Sequence, residues 1–194
     1  MERFNSLEGK FLVAMPKIGD QRFESTVILI CAHSEEGAMG FVINRLLPEP
    51  SGADFLRKLG IVTSNENERL PDKVATSALN VGGPVEPGRG FVLHSPDYRD
   101  GTTIKVTSEI CLTATLDILR HIVTGNGPEH FFLALGYSGW SMGQLEREIA
   151  ANGWLVAESN AEMVFFGDRE GVYNRVMQGM GINPHLISGE SGHA

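Results

Sequence analysis

The chain has 194 residues, 42% of them hydrophobic, and a formal net charge of −8 at pH 7. This size and apolar content predict a single domain over residues 1–194 with one substantial core. Residues 111–194 carry 4 Lys+Arg against 9 Asp+Glu, a balance of −5, and no basic run exceeds two residues, so direct nucleic-acid binding is not expected.

The first ten residues are polar, and the apolar run from Phe11 to Met15 is too short for a signal-peptide core. Val27 to Ala32 holds six apolar residues, against the ~18 that a spanning helix needs. Cys31 and Cys111 sit inside apolar segments and form no disulfide framework. A soluble, cytoplasmic protein with reduced, inert thiols and no membrane partner is expected.

In chain order, Lys10 to Met15 reads as a strand stopped by Pro16. Thr26 to His33 and Ala38 to Asn44 read as a hairpin about the turn Ser34 to Gly37. A short helix is predicted over Ala53 to Leu59, then a polar, mobile loop over Thr63 to Asp72. Leu79 to Val81 and Gly90 to His94 read as strands flanking the Gly-Pro-rich segment Gly82 to Gly90, and Thr102 to Thr107 is strand-like. Leu116, Leu119, Ile122 and Val123 fall on one face of a helix over Thr113 to Val123, with Gly125 as its stop.

Phe131 to Tyr137 reads as a buried strand leading into a helix over Ser141 to Ala151, where Ser141 and Gln144 have capping-box spacing. Trp154 to Ala157 reads as a strand, and Asp168 caps a helix running to about Gln178 that Gly179 and Gly181 end. Asn183-Pro184 starts a last turn, and the ends, about 1–7 and 188–194, are expected to fray.

Several blocks carry a resemblance. Gly9 to Pro16, Asp20 to Val27, His33 to Asn44, Val81 to Val85, Arg89 to Ser95, Gly136 to Trp140 and Gly143 to Glu146 are together similar to the YqgE/AlgH family. The resemblance covers nearly the whole chain. It implies an α+β fold in which a bent, branching β-sheet forms a pseudo-barrel with helices packed around it. It also implies the label of transcriptional regulator, which rests on the genetics of alginate production and not on a DNA-binding mechanism, and it brings no catalytic residues.

The chemistry-bearing motifs are therefore weighed on their own. Gly136-Tyr-Ser138-Gly-Trp140 approaches a nucleophile elbow, with Asp168 and His185 following in triad order, but the last glycine is displaced by one position and Trp140 takes its place. His33-Ser-Glu35 has H-x-E spacing without the cysteine half of a deaminase zinc site, and His121 and His130 do not share a helix face. Gly83 to Gly88 imitates a phosphate loop, but the Lys and Ser/Thr that should follow are missing and prolines remove two donors. No metal and no cofactor is expected.

The candidate binding surface comprises Arg89, His94, Tyr137, Trp140 and Gln144, in or beside two glycine-rich loops at Gly82–Gly90 and Gly136–Gly143. Tyr, Trp and Arg combine apolar area with a polar tip, as binding hot spots require. The competing reading is that these glycines let strands bend, with Tyr137 and Trp140 plugging the barrel end and Arg89 pairing with Glu86. Two functions follow. One is a regulatory protein acting through a protein partner or small effector; the other is a ligand-binding protein or enzyme with a pocket at those loops, using His94 or His33 as acid or base.

Overall fold

A computed structural model describes residues 5–62 and 70–183. The elements run β1 (Lys10–Ala14), two 3-10 turns (Pro16–Ile18 and Gln21–Phe23), β2 (Val27–Ser34), β3 (Gly37–Val42), β4 (Leu46–Leu47), α1 (Gly52–Lys58), α2 (Asp72–Ala75) and β5 (Leu79–Val81). They continue with β6 (Val85–His94), β7 (Ile104–Lys105), β8 (Cys111–Thr113), α3 (Leu116–Thr124), β9 (Phe131–Ser141), α4 (Gln144–Ala150), β10 (Trp154–Glu158), α5 (Ala161–Phe165) and α6 (Arg169–Gly179).

Most elements expected from periodicity are present, and the differences have local causes. Gly82 to Gly90 is largely strand: β6 starts at Val85, and a register shift between Val85 and Gly90 absorbs the prolines and glycines as a bulge. Thr113 ends β8 instead of opening a helix, because α3 begins only after Thr115. Ser141 is the last residue of β9 and not the first of a helix; Gly143 stands at the N-cap of α4. Half of the expected capping box survives, since the Gln144 side chain reaches back to accept from the Ser141 amide at 3.0 Å.

Asp168 occupies the N-cap position of α6 but makes no side-chain cap bond. Gly125 closes α3 in the left-handed conformation, as its position implied. Ser6 and Leu7 are not frayed: the Ser6 hydroxyl donates to the His33 carbonyl, and the Leu7 amide donates to His33 Nδ1 at 2.9 Å. The expected mobile loop lies mostly outside the described residues, as does the tail from 188, and Pro71 with Asp72 opens α2.

The sheet is the bent, branching one that the resemblance implied. Its main path is β10-β1-β2-β3-β9-β6-β8-β7, and β5 with β4 branches from β9. Each pair on the path is antiparallel, whereas β5 runs parallel to β9, with Asn80 opposite Ala134. The eleven residues of β9 therefore serve two halves: Phe131 to Leu135 pair with β6 and β5, and Ser138 to Ser141 pair with β3.

Between those halves three glycines touch. A Cβ on Gly82 would overlap the Gly136 carbonyl, one on Gly83 would overlap the Tyr137 backbone, and one on Gly136 would overlap the Gly83 carbonyl. Gly136 also has φ +68°, where a side chain is strained. That kink shifts the alternation of β9 by one residue. Phe132 and Ala134 face the same core as Tyr137, while Trp140 faces the opposite side.

Three apolar cores result. The central one lies inside the curl, where Phe11, Leu29, Phe41, Phe91 and Phe132 meet Val164, Val172 and Met177 of α5 and α6. The Tyr173 hydroxyl, donating to the Ala14 carbonyl at 2.8 Å, ties α6 across β1. A second core places α1, α2 and α3 against the outer face of β5, β6 and β9, and a third places Leu145 of α4 and Trp154 against the outer face of β1 to β3.

Gly136→Ala is expected to cost at least about 3 kcal/mol, since strained φ and backbone overlap act together. Gly179→Ala, at an exposed helical position with nothing within 4 Å of the added Cβ, is expected to be neutral or to stabilise by up to ~1 kcal/mol. Thermal unfolding of both variants separates the two cases, and a Gly136→Ala protein as stable as wild type would show that the fork tolerates a side chain.

Candidate functional site

Of the five residues expected to form a binding surface, Arg89 is exposed, Tyr137 and Gln144 are half-buried, and His94 and Trp140 are buried. The last two are corrections to the sequence reading. β6 ends inside the sheet at His94, and the kink at Gly136 turns Trp140 into the third core. Arg89 pairs with Glu86 at 3.3 Å and its guanidinium sits 5.0 Å from the Phe91 ring centroid, so the competing reading describes it better. Tyr137 stands edge-on to Phe91 at 5.8 Å.

Beside these residues is a broad, open depression of about 630 Å³, lined by His33, Met39, Val85, Tyr137 and Gly139 among others. Its histidine is already committed. His33 Nδ1 accepts from the Leu7 amide, which leaves Nε2 to donate to Glu146 at 2.8 Å. The backbone amide of Glu146 and the His33 bond outweigh burial and hold the Glu146 carboxyl below its ordinary range.

Glu148 accepts both indole N–H groups at one oxygen, from Trp140 at 2.9 Å and from Trp154 at 2.8 Å, while Gln144 donates to its other oxygen at 2.9 Å. These bonds clamp α4 onto β9 and β10. Their role is packing.

His94 is fully buried. Its Nδ1 lies 2.8 Å from the Ser95 carbonyl, which can only accept, so Nδ1 carries the proton and Nε2 accepts from the Thr113 hydroxyl at 2.9 Å. Thr113 in turn accepts from Thr103 at 2.8 Å. Burial lowers the basicity of His94, against the opposing pull of the Ser95 bond, Asp97 and Asp100. An imidazole with both nitrogens committed and no access cannot serve as an acid or base for a bound ligand.

Ser138 is no nucleophile. It lies within β9 opposite Gly40, fully buried, with its hydroxyl donating to the Gly82 carbonyl at 3.3 Å. No strand-to-helix turn presents it, and His185 lies outside the described residues. Glu35 is exposed in the turn after His33, and no cluster of metal-ligating groups occurs among the described residues. Cys31 and Cys111 are buried, and burial raises both thiol pKa values.

A different site emerges where β5 and the start of β9 meet α2, α5 and α6. It is a cleft of about 470 Å³, lined by Lys73, Asn80, His130, Phe132, Phe166 and Arg169 with their neighbours. The period-two alternation of β5 and β9 puts Asn80 on the same face as Phe132 and Ala134. Asn80 Nδ2 donates to the Leu133 carbonyl at 2.9 Å, while its Oδ1 is buried with no hydrogen-bond partner.

Arg169, the first residue of α6, is half-buried, with its guanidinium 4.8 Å from the Phe132 centroid and one nitrogen donating to the Val164 carbonyl at 3.0 Å. It makes no ion pair among the described residues, and burial lowers its pKa against the attraction of Asp168. Lys73 donates to the Glu129 carbonyl at 2.9 Å, and His130 meets the Phe166 edge at 4.7 Å. Phe166 is 62% exposed, so an aromatic stands at the cleft mouth.

Sequence reasoning passed over this site because its residues come from three separate stretches, 73–80, 129–132 and 165–169. Two signals were visible: a polar residue inside the apolar strand Leu79–Val81, and the aromatic pair Phe165-Phe166 just before Gly167.

Fold and cleft together define a half-barrel α+β protein with a ligand-sized recess between sheet and helices. Its sequence places it more closely. Residues 11–185 match the family model described as AlgH-like, and the chain belongs to that family. It is 50% identical over 188 residues to a UPF0301 protein of Brucella melitensis, covering 97% of this chain and 94% of that protein. A Rhizobium etli UPF0301 protein is likewise 50% identical over 188 residues, covering 96% of this chain and 92% of that protein.

The solution structure of the AlgH protein from Pseudomonas aeruginosa superposes with a TM-score of 0.78 at 33% identity, covering 100% of this chain and 99% of that one. A crystal structure of a Corynebacterium diphtheriae protein shares the fold, with a TM-score of 0.69 at 21% identity, covering 100% and 95%. None of these names states a biochemical activity.

Glu148→Ala is expected to cost roughly 2–3 kcal/mol, because two indole donors lose a charged acceptor; Glu148→Gln should recover part of that loss, read from denaturant midpoints. For His94 the folded pKa lies below the ordinary 6.5, so the unfolded chain takes up a proton that the folded one refuses. Its stabilising contribution is present above about pH 6.5 and is lost as pH falls below that value. Unfolding free energy between pH 8 and 5 should fall more steeply in wild type than in His94→Asn, by at most about 1.4 kcal/mol per pH unit. Equal slopes would overturn the assignment.

Proposed function

We propose that this protein binds a small anionic effector in the cleft between β5, β9 and helices α5 and α6. In this reading it is a cytoplasmic regulator that acts through the ligand, with a protein partner reading the ligated state and no direct contact with DNA. The observation that carries it is the pairing of Arg169, half-buried and without an ion pair among the described residues, with the unpartnered buried Oδ1 of Asn80. Half-burying a cation without a counter-ion, and burying an amide oxygen without a donor, costs free energy that a bound anion with a donor would recover.

Binding is favoured over covalent chemistry because the cleft hydroxyls are committed. Thr76 donates to the Asp72 carbonyl and Ser77 to the Val74 carbonyl, each at 2.8 Å. Neither is paired with a base, as an activated nucleophile requires. The net charge of −8 supports the exclusion of DNA.

The test is an amide-resonance titration of the labelled protein with a fragment set containing carboxylates, phosphates and amines. Anionic fragments are expected to shift resonances of residues 73–80, 129–133 and 165–169, and Arg169→Met, checked for an intact spectrum, should abolish those shifts. Amines moving the same residues as strongly as anions, or no fragment moving them, would overturn the reading. Labelled duplex DNA at low salt should show no retardation.

A further inference from the structure

We infer that the ligand of this cleft is a planar monocarboxylate whose ring carries an N–H or O–H donor. The inference rests on the proposed effector-binding role and narrows it to a chemical class. Asn80 supplies the most specific constraint. Its Nδ2 is fixed on the Leu133 carbonyl, so the amide cannot turn over without setting two oxygens against each other. The free Oδ1 accepts only and is shielded from solvent within a residue that lines the cleft, so a ligand satisfies it by pushing a donor into the packing at the cleft floor.

Charge supplies the second constraint. The charged residues lining the cleft are Lys73, Arg169 and Glu129, a sum of +1, which the neighbouring Asp72 and Asp168 bring to −1. With acidic groups this near, a singly charged ligand held by the Arg169 fork is repelled less than a phosphate monoester dianion. One nitrogen of Arg169 is held by Val164, and its remaining donors present the fork that matches a carboxylate.

Shape is the third constraint. His130, Phe165 and Phe166 form an aromatic group, with His130 edge-on to Phe166 at 78° and Phe165 edge-on to Phe166 at 71°. Phe166 is largely exposed, so its ring has area left for a planar partner. The volume of about 470 Å³ suits a ligand of one or two rings.

The experiment titrates wild type with the three hydroxybenzoate isomers and orotate, using benzoate as the donorless control and phenyl phosphate as the dianion. At least one donor-bearing carboxylate is expected to bind about tenfold more tightly than benzoate, the worth of one buried hydrogen bond. Asn80→Ala should erase that ratio while leaving benzoate affinity within about twofold, and Arg169→Met should weaken both about tenfold or more.

The Asn80 side-chain amide resonance of wild type gives a readout that needs no variant: it should move with donor-bearing probes and not with benzoate. Benzoate binding as well as every donor-bearing probe, or phenyl phosphate binding more tightly than all of them, would overturn the ligand class while the cleft reading stands. No probe of either kind moving the cleft resonances would sink both.

Discussion

The close approach of Gly82 and Gly83 to Gly136 is the constraint on which the rest of this structure depends. Strand β9 must pair with β5 and β6 along its first half and with β3 along its second, and the branch leaves no room for a Cβ on any of the three glycines. The left-handed kink at Gly136 then rotates the second half of β9, so that one strand supplies Phe132 to the central core, Leu133 to the second and Trp140 to the third. Curl, branch and three-way division of the core all follow from one crossing of backbones.

This crossing also explains why residues with a functional look turn out to be structural. Aromatic and polar residues next to glycine-rich segments resemble a binding surface when the chain is read linearly. Folded, Trp140 and Trp154 share one carboxylate oxygen of Glu148, His94 is locked between a carbonyl and a threonine, and Ser138 is held by Gly82. A buried polar group needs its partners, and these groups have them, so they have little left to offer a ligand.

The cleft at Asn80 and Arg169 shows the opposite balance. There a branch strand, the start of β9 and the first turn of α6 converge without satisfying one another, leaving an amide oxygen without a donor and a half-buried guanidinium without a carboxylate among the described residues. Arg169 lies against Phe132, a residue of the central core. Occupation of the cleft would therefore be felt by the packing of α6 on the sheet, which gives a physical route from a small effector to a surface that a partner could read.

Much of the local structure was legible in the sequence. The hairpin of β2 and β3 follows from Val/Ile runs about Ser34–Gly37, α3 from its apolar spacing and Gly125, and the family from short blocks along the chain. Charge and composition already argued against nucleic acid and against a spanning helix, and among the described residues no helix is long and apolar enough to cross a membrane. Periodicity and turn chemistry are properties of neighbouring residues, so the chain alone determined them. Which glycines mark a crossing and which a loop, whether Trp140 faces water or Glu148, and that Asn80 meets Arg169 in one cleft were decided only by the tertiary structure. Those facts depend on contacts between residues tens of positions apart, and no local pattern encodes the register of a branching sheet.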